Sequence, residues 1–191
     1  AKVARLVTGS GNVAARTLVQ KLEFKQIAEF VEMKTEKITK EDSTNSKWAE
    51  EKETEAVWSY LQNSEAYRTA AGLYTVLFHW FSLEKHDLEQ FVKERKAILH
   101  RNDEGKIDGL TLIDDATSRE WRKNTIQTCY IDGNSEAVTD MMIKFLKSYC
   151  HATKIKRIYG FTCNYKPITT ALERLGFEPP DTTEIVYEKR I

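Results

Sequence analysis

Apolar positions along the chain recur with two periods, and the alternation between those periods lays out its elements. Ala14, Ala15, Leu18, Val19 and Leu22 fall at helical spacing, and so do Ile168, Ala171, Leu172 and Leu175 near the far end. Each of these helices is flanked by β-rich runs, residues 4–8 and 27–33 around the first and residues 157–163 and 183–188 around the second. Asn12 precedes the first helix as an N-cap. Pro167 falls in the first turn of the second, where amides have no partner within the helix.

Between the two patterns, residues 35–55 are dense in charge and small polar residues, which predicts a linker with Trp48 docked. Ala56, Val57, Tyr60 and Leu61 then mark an amphipathic helix. The aromatic run "GLYTVLFHWF" from Gly72 reads as a buried strand, with a buried helix as the other reading. A helix over residues 83–95 follows, with Ser82 as N-cap. "KAILH" and "IDGLTLI" flank "RNDEGK" as a hairpin, and a polar loop over residues 114–123 leads to the strand "TIQTCYI". Ala137, Val138, Met141, Met142, Phe145, Leu146 and Tyr149 form one stripe of a long helix. The order predicts an α/β or α+β fold, a mixed sheet flanked by helices.

Composition narrows the function classes. Lysine plus arginine and aspartate plus glutamate stand at 29 each, so no bulk field draws the chain to nucleic acid or to an anionic membrane. The longest apolar run is too short to span a bilayer, and no leader-like segment precedes the first strand. Three cysteines, Cys129, Cys150 and Cys163, suit a reducing compartment, which points to the cytoplasm. His79, His86, His100 and His151 lack metal-ligand spacing, and surface imidazoles and buried thiols are expected instead of a metal site. Trp58, Tyr74, Trp80 and Trp121 read as core residues rather than a binding platform.

"RLVTGSGNVAARTLVQKLEF" at Arg5 and "RIYGFTCNYKPITTALERLGF" at Arg157 paraphrase one another. The arginines and Asn12 and Asn164 are 152 apart (157 − 5, 164 − 12), and Phe24 and Phe177 are 153 apart (177 − 24). An offset of one domain length predicts duplicated domains rather than a short-period solenoid, unless the likeness of two short β–α–β units is chance. On the duplicated reading, residues 1–34 are the C-terminal portion of a first domain, 35–55 a linker and 56–191 a second domain.

Asn12, Ala15, Leu18, Lys21 and Phe24, preceded by "RLVT" and followed by "VEM", resemble the closing motif of the GNAT superfamily of acyl-CoA-dependent N-acyltransferases. The stretch ending "LERLGF" at Phe177 resembles it again. The chain is thus similar to a tandem GNAT pair, with a partial copy at the N-terminus and a whole second domain. The resemblance implies a cleft between two splayed parallel strands for acetyl-CoA, with pyrophosphate on the amides of a glycine-rich loop entering a helix. In the second domain that loop is "YIDGNSEAVTDMM", where Gly133 is the only glycine and Asp132, Glu136 and Asp140 are acidic. One such carboxylate against a phosphate costs a few kcal/mol at an effective dielectric of about 20.

The second domain is therefore expected not to bind coenzyme A, and acetyl-CoA is assigned to the first domain only, with Asn12 and Arg16 as its contacts. Asn12 as a plain helix cap is the alternative. Val19 stands where the family has a tyrosine acid, and Glu23 where it has a glycine, so no catalytic acid or base is identified. The resemblance implies transfer of an acetyl group to a small-molecule or protein amine. The rival is a non-catalytic scaffold, a ligand-sensing or protein-interaction module. An unpaired edge in the leading piece is expected to pair with the second domain's sheet, with the missing first-domain segment or with another chain, including a second copy in a homo-oligomer.

Overall fold

In a computed structural model of the chain, residues 2–115, 123–178 and 183–191 are described. Trp121 and most of the expected polar loop at 114–123 lie outside them. The elements are β1 (Val3–Gly9), α1 (Val13–Lys21), β2 (Lys25–Thr35), β3 (Ser46–Trp48), α2 (Thr54–Asn63), α3 (Glu65–Thr69), β4 (Leu73–Val76), β5 (His79–Ser82), α4 (Lys85–Lys93), β6 (Ala97–Arg101), β7 (Ile107–Asp114), β8 (Thr125–Gly133), α5 (Glu136–Ala152), β9 (Arg157–Cys163), α6 (Lys166–Arg174) and β10 (Thr183–Arg190). Eight strands form one mixed sheet in the order β1-β10-β2-β9-β8-β7-β6-β3, and β4 and β5 form a separate hairpin. Of the described strand pairs, β8 with β9 is the parallel one.

Adjacent strand residues point to opposite faces, which fixes where the helices lie. A side chain at Gly133 would meet Thr139 of α5, whereas Asp132 reaches Tyr60 of α2. So α5 covers one face of β8 and α2 the other. Of the apolar stripe read in the sequence, α5 buries Val138, Met142 and Leu146, half-buries Met141, Phe145 and Tyr149 and leaves Ala137 exposed, and it buries Ile143 and Cys150 besides.

The leading segment is woven into the sheet, since β2 lies between β9 and β10. The two outer ladders of that part match. Ala4 faces Lys189 as Ile158 faces Thr35, and Gly9 faces Glu184 as Cys163 faces Phe30, a shift of 154 in every case (158 − 4, 189 − 35, 163 − 9, 184 − 30). The same shift carries the central ladder onto itself, exchanging Thr183 facing Val31 with Ile185 facing Glu29. A local twofold therefore passes through the Phe30–Glu184 pair. By the ladders the counterpart of Arg157 is Val3 (157 − 154) rather than Arg5.

The two helices are nine residues each, 153 apart (166 − 13), and end in the same bonds. Leu22 N–H donates to Leu18 and Phe24 N–H to Val19 at 3.0 and 3.2 Å, as Leu175 does to Ala171 and Phe177 to Leu172 at 3.0 Å each. Both turns need a left-handed residue after the cap. Gly176 supplies it at φ 83°, and Glu23 takes φ 64° with a side chain that a glycine would spare.

Several local expectations change. Ser46–Trp48, inside the expected linker, pairs as an edge strand with β6, and the Trp48 ring docks on Phe145 and Tyr149 at centroid distances of 5.5 and 5.0 Å. The aromatic run from Gly72 is a hairpin and not a single strand, because Leu77 in the left-handed region reverses the chain. The helix after it is capped by Glu84 rather than Ser82. Glu84 and Asp87 form a reciprocal capping box, with Glu84 N–H donating to Asp87 at 2.9 Å. A short α3, capped by Ser64, has no clear apolar period to announce it.

All three cysteines are buried and none is in a disulfide. Burial pushes Cys150 and Cys163 up to about 12, so both stay protonated and unreactive at neutral pH. His79, His86 and His151 are exposed as expected, but His100 is buried, its Nδ1 2.6 Å from Asp108. Among the described residues no cluster suits a metal ion, and no helix is long and apolar enough to cross a membrane.

Candidate functional site

The parallel pairing of β8 with β9 runs from Thr125–Arg157 to Thr128–Gly160 and stops there, although β8 continues to Gly133 and β9 to Cys163. The register of β8 against β7 also shifts at that point. Leu112 faces Tyr130 while Ile113 faces Thr128, which leaves Cys129 as a bulge. A bulge bends a strand, and here it turns the second half of β8 away from β9. The opening that results is the candidate cleft.

Protein fills it. Thr75 of the β4–β5 hairpin donates its hydroxyl to the Cys129 carbonyl at 3.3 Å, and Leu77 N–H donates to Gln127 at 3.0 Å. Trp80 and Phe78 pack on Phe161 of β9 with centroids 5.2 and 6.0 Å away. Further along β8, Asp132 is fully buried and meets three hydroxyls. Ser64 and Tyr130 donate to Oδ2, each at 2.6 Å, and the Tyr60 hydroxyl lies 2.7 Å from Oδ1.

Tyr60 has one hydroxyl proton and two oxygen neighbours, Asp132 Oδ1 and the Asp108 carbonyl at 2.8 Å. The carbonyl also accepts from Asn134 N–H at 3.2 Å, so the Tyr60 hydroxyl can donate to Asp132 Oδ1 without leaving the carbonyl unpaired. Burial raises the Asp132 carboxyl above its ordinary value against the lowering effect of the Ser64, Tyr130 and Tyr60 bonds. Burial and the neighbouring Asp132 likewise push Tyr60 and Tyr130 upward.

The loop expected to hold pyrophosphate is a tight turn. Asn134 N–H donates to the Asp108 carbonyl at 3.2 Å, and Ser135 caps α5 by accepting from Val138 N–H at 3.3 Å. Glu136 and Asp140 are held by Arg174 of α6 at 3.2 and 2.8 Å; the Glu136 side chain is exposed at the start of the helix, whereas Asp140 lies one turn in and is largely covered. Asp132, grouped with them in the sequence reading, points to the opposite face and is part of the cleft filling instead.

At the other end of the sheet, Asn12 caps α1, its Oδ1 accepting from Ala15 N–H at 3.1 Å. Arg16, one helical turn on, donates to the Ser10 carbonyl at 3.0 Å and toward the Tyr187 hydroxyl at 3.4 Å. The two residues thus share the turn between β1 and α1, at the outer edge of the sheet. Val19 faces inward and packs with Ile185, Tyr187 and Phe24. Sequence reasoning named Asn12 and Arg16, which lie at the β1 edge and not in the opening between β8 and β9, and did not single out Tyr60, Ser64 and Tyr130 there. The available signal was an aspartate and a tyrosine, two apart, in an otherwise apolar strand.

No protein-family model matches the sequence, and no curated protein sequence matches it. Solved structures do match in fold. A GCN5-related N-acetyltransferase from Sphaerobacter thermophilus superposes with a TM-score of 0.64 at 7% identity, covering 98% of this chain and 59% of its own. A ribosomal-protein-alanine N-acetyltransferase from Brucella melitensis gives 0.51 at 11%, covering 76% of this chain and 99% of its own. The N-myristoyltransferase of Saccharomyces cerevisiae with bound myristoyl-CoA gives 0.51 at 8%, covering 85% and 48%. The chain spans about three fifths of the length of the first of these. The likeness establishes a GNAT-type mixed sheet flanked by helices.

Proposed function

We propose that the chain is the C-terminal portion of an acyl-CoA-dependent N-acyltransferase that passes an acetyl group to an amine. On this reading it carries the end of one GNAT unit in residues 1–34 and a second unit in residues 56–191. The second unit does not hold coenzyme A. The observation that carries this is the filled opening between β8 and β9, where the Asp132 cluster and the hairpin aromatics stand in the space a pantetheine arm would need. The exposed carboxylate of Glu136 at the start of α5 adds repulsion toward a diphosphate, offset in part by its pairing with Arg174.

Coenzyme A then belongs to the leading unit. Asn12 and Arg16 lie at the end of β1, and a guanidinium beside a strand-to-helix turn suits an anionic cofactor. The matching ladders and the identical helix ends support a common origin for the two units. The acceptor is a small-molecule or protein amine, and the three reduced, buried thiols suit the cytoplasm. The same filled opening favours a second reading, in which the 56–191 unit is a scaffold or sensing module with no transferase attached.

Turnover separates the two. The longer natural protein, given acetyl-CoA and a panel of polyamines, aminoglycosides and peptides with free α-amines, is expected to release free thiol in an acceptor-dependent way. Arg16→Ala is expected to raise the KM for acetyl-CoA about tenfold, the loss of one charge-assisted contact. No acceptor-dependent release with any amine leaves only the scaffold.

A further inference from the structure

The local twofold makes the surroundings of β9 and β1 comparable. On its outer side β9 carries a parallel strand, β8, and the helix that follows, α5, packs against α6. At the twofold-related place, β1 is the last strand of the sheet, and α1 has an open face. The exposures differ accordingly. Leu18 corresponds to Ala171 by the helix offset (171 − 18 = 153), yet Leu18 is 58% exposed and Ala171 is fully buried. Val13 is 69% exposed and Leu22 50%, and on β1 itself Val3 and Leu6 are exposed too. An open edge strand beside an uncovered apolar helix face is a site that proteins seldom leave bare.

We propose that this surface seats a strand–helix unit of the β8–α5 kind: a strand hydrogen-bonded parallel to β1, followed by a helix that covers Val13 and Leu18. This rests on the two-unit reading above and names its missing partner. The partner is the polypeptide that precedes Ala1 in the longer protein. A second copy of this chain cannot supply the unit, because its β8 is already flanked by β7 and β9. The matched protein from Sphaerobacter has length to spare, since nearly all of this chain covers only 59% of it. Docking would place the new strand next to β1 at the end where Asn12 and Arg16 lie, so the cofactor cleft of the leading unit forms only when both parts are present.

Hydrogen exchange reads this without reference to catalysis. In the longer protein, the β1 amides directed away from β10 are expected to exchange more than about tenfold more slowly than in the 191-residue chain. Leu18→Glu is expected to lower the midpoint of thermal unfolding of the longer protein by several degrees and to leave that of the chain unchanged. Equal exchange in the two proteins, a silent Leu18→Glu in the longer one, or a natural product no longer than this chain would each overturn the proposal. So would a chain whose β1 becomes protected by self-association in sedimentation. Slow exchange in a protein with no acetyl transfer would retain the docking and remove the enzyme reading, so the two fail separately.

Discussion

Asp132→Ala is expected to cost about 3–5 kcal/mol of stability, while Asp132→Asn costs about 1 kcal/mol or less, as read by urea unfolding. Alanine leaves the hydroxyls of Ser64 and Tyr130 buried without an acceptor and takes one of two acceptors from Tyr60. Each orphaned group costs about 1–3 kcal/mol, a large share of the total for a domain of this size. Asparagine keeps the shape. Its carbonyl accepts from Ser64 and Tyr130, and its amide can donate to the Tyr60 oxygen while the Tyr60 proton goes to the Asp108 carbonyl.

The same pair of proteins gives a pH signature. The folded-state value of Asp132 is raised above the ordinary 3.8, so over that window the folded chain holds a proton that the unfolded chain has lost. Its contribution is present at low pH and declines as pH rises from the ordinary value through the raised one. Wild type minus Asp132→Asn should therefore fall with rising pH. A difference that rises instead would mean that folding lowers the Asp132 carboxyl, so that its three hydroxyl donors outweigh its burial.

Gly160→Ala is the second severe change, expected to lose about 3 kcal/mol or more and to lower soluble yield. A methyl group there would sit 2.1 Å from the Thr128 hydroxyl oxygen and 2.2 Å from its carbonyl oxygen. Thr128 and Gly160 are the last paired residues before β8 and β9 part. The carbonyl is backbone and cannot rotate away, so the strands must separate one pair earlier. Serine at Thr128 in the same protein removes a methyl but not the clashing oxygens, and is not expected to rescue it.

Much of the sheet was legible because its helices and strands carry strong periods. The α5 stripe, the β6–β7 hairpin and the two similar β–α–β segments follow from apolar spacing and from turn residues such as Asn102 and Gly105. What spacing cannot convey is partner choice. Nothing in residues 25–35 says that β2 inserts between β9 and β10, since a strand's alternation fixes its faces and not its neighbours. The Ser46–Trp48 strand was hidden because three residues are too few for a period, and β6 supplies its partner from about fifty residues away.

The candidate site was legible in part for the same reason. Asn12 announces itself as a cap through the apolar run that follows, and Arg16 lies one helical turn on. The acidic, glycine-poor loop after β8 was visible, but Asp132 was placed with Glu136 and Asp140 when strand alternation sends it to the other face. Tyr60 and Ser64 reach it from a helix and a cap some seventy residues earlier. Such a convergence is a property of packing and leaves no local signal.

The account's central claim is that the opening between β8 and β9 is occupied by the protein's own side chains and holds no coenzyme A. Its most direct test is a titration of the isotopically labelled 191-residue chain with acetyl-CoA, followed at each backbone amide. The amides of Asn134, Ser135, Glu136 and Ala137 are expected to stay in place up to millimolar ligand. Saturable shifts at those four amides, joined by the hydroxyl-bearing residues around Asp132, would contradict it.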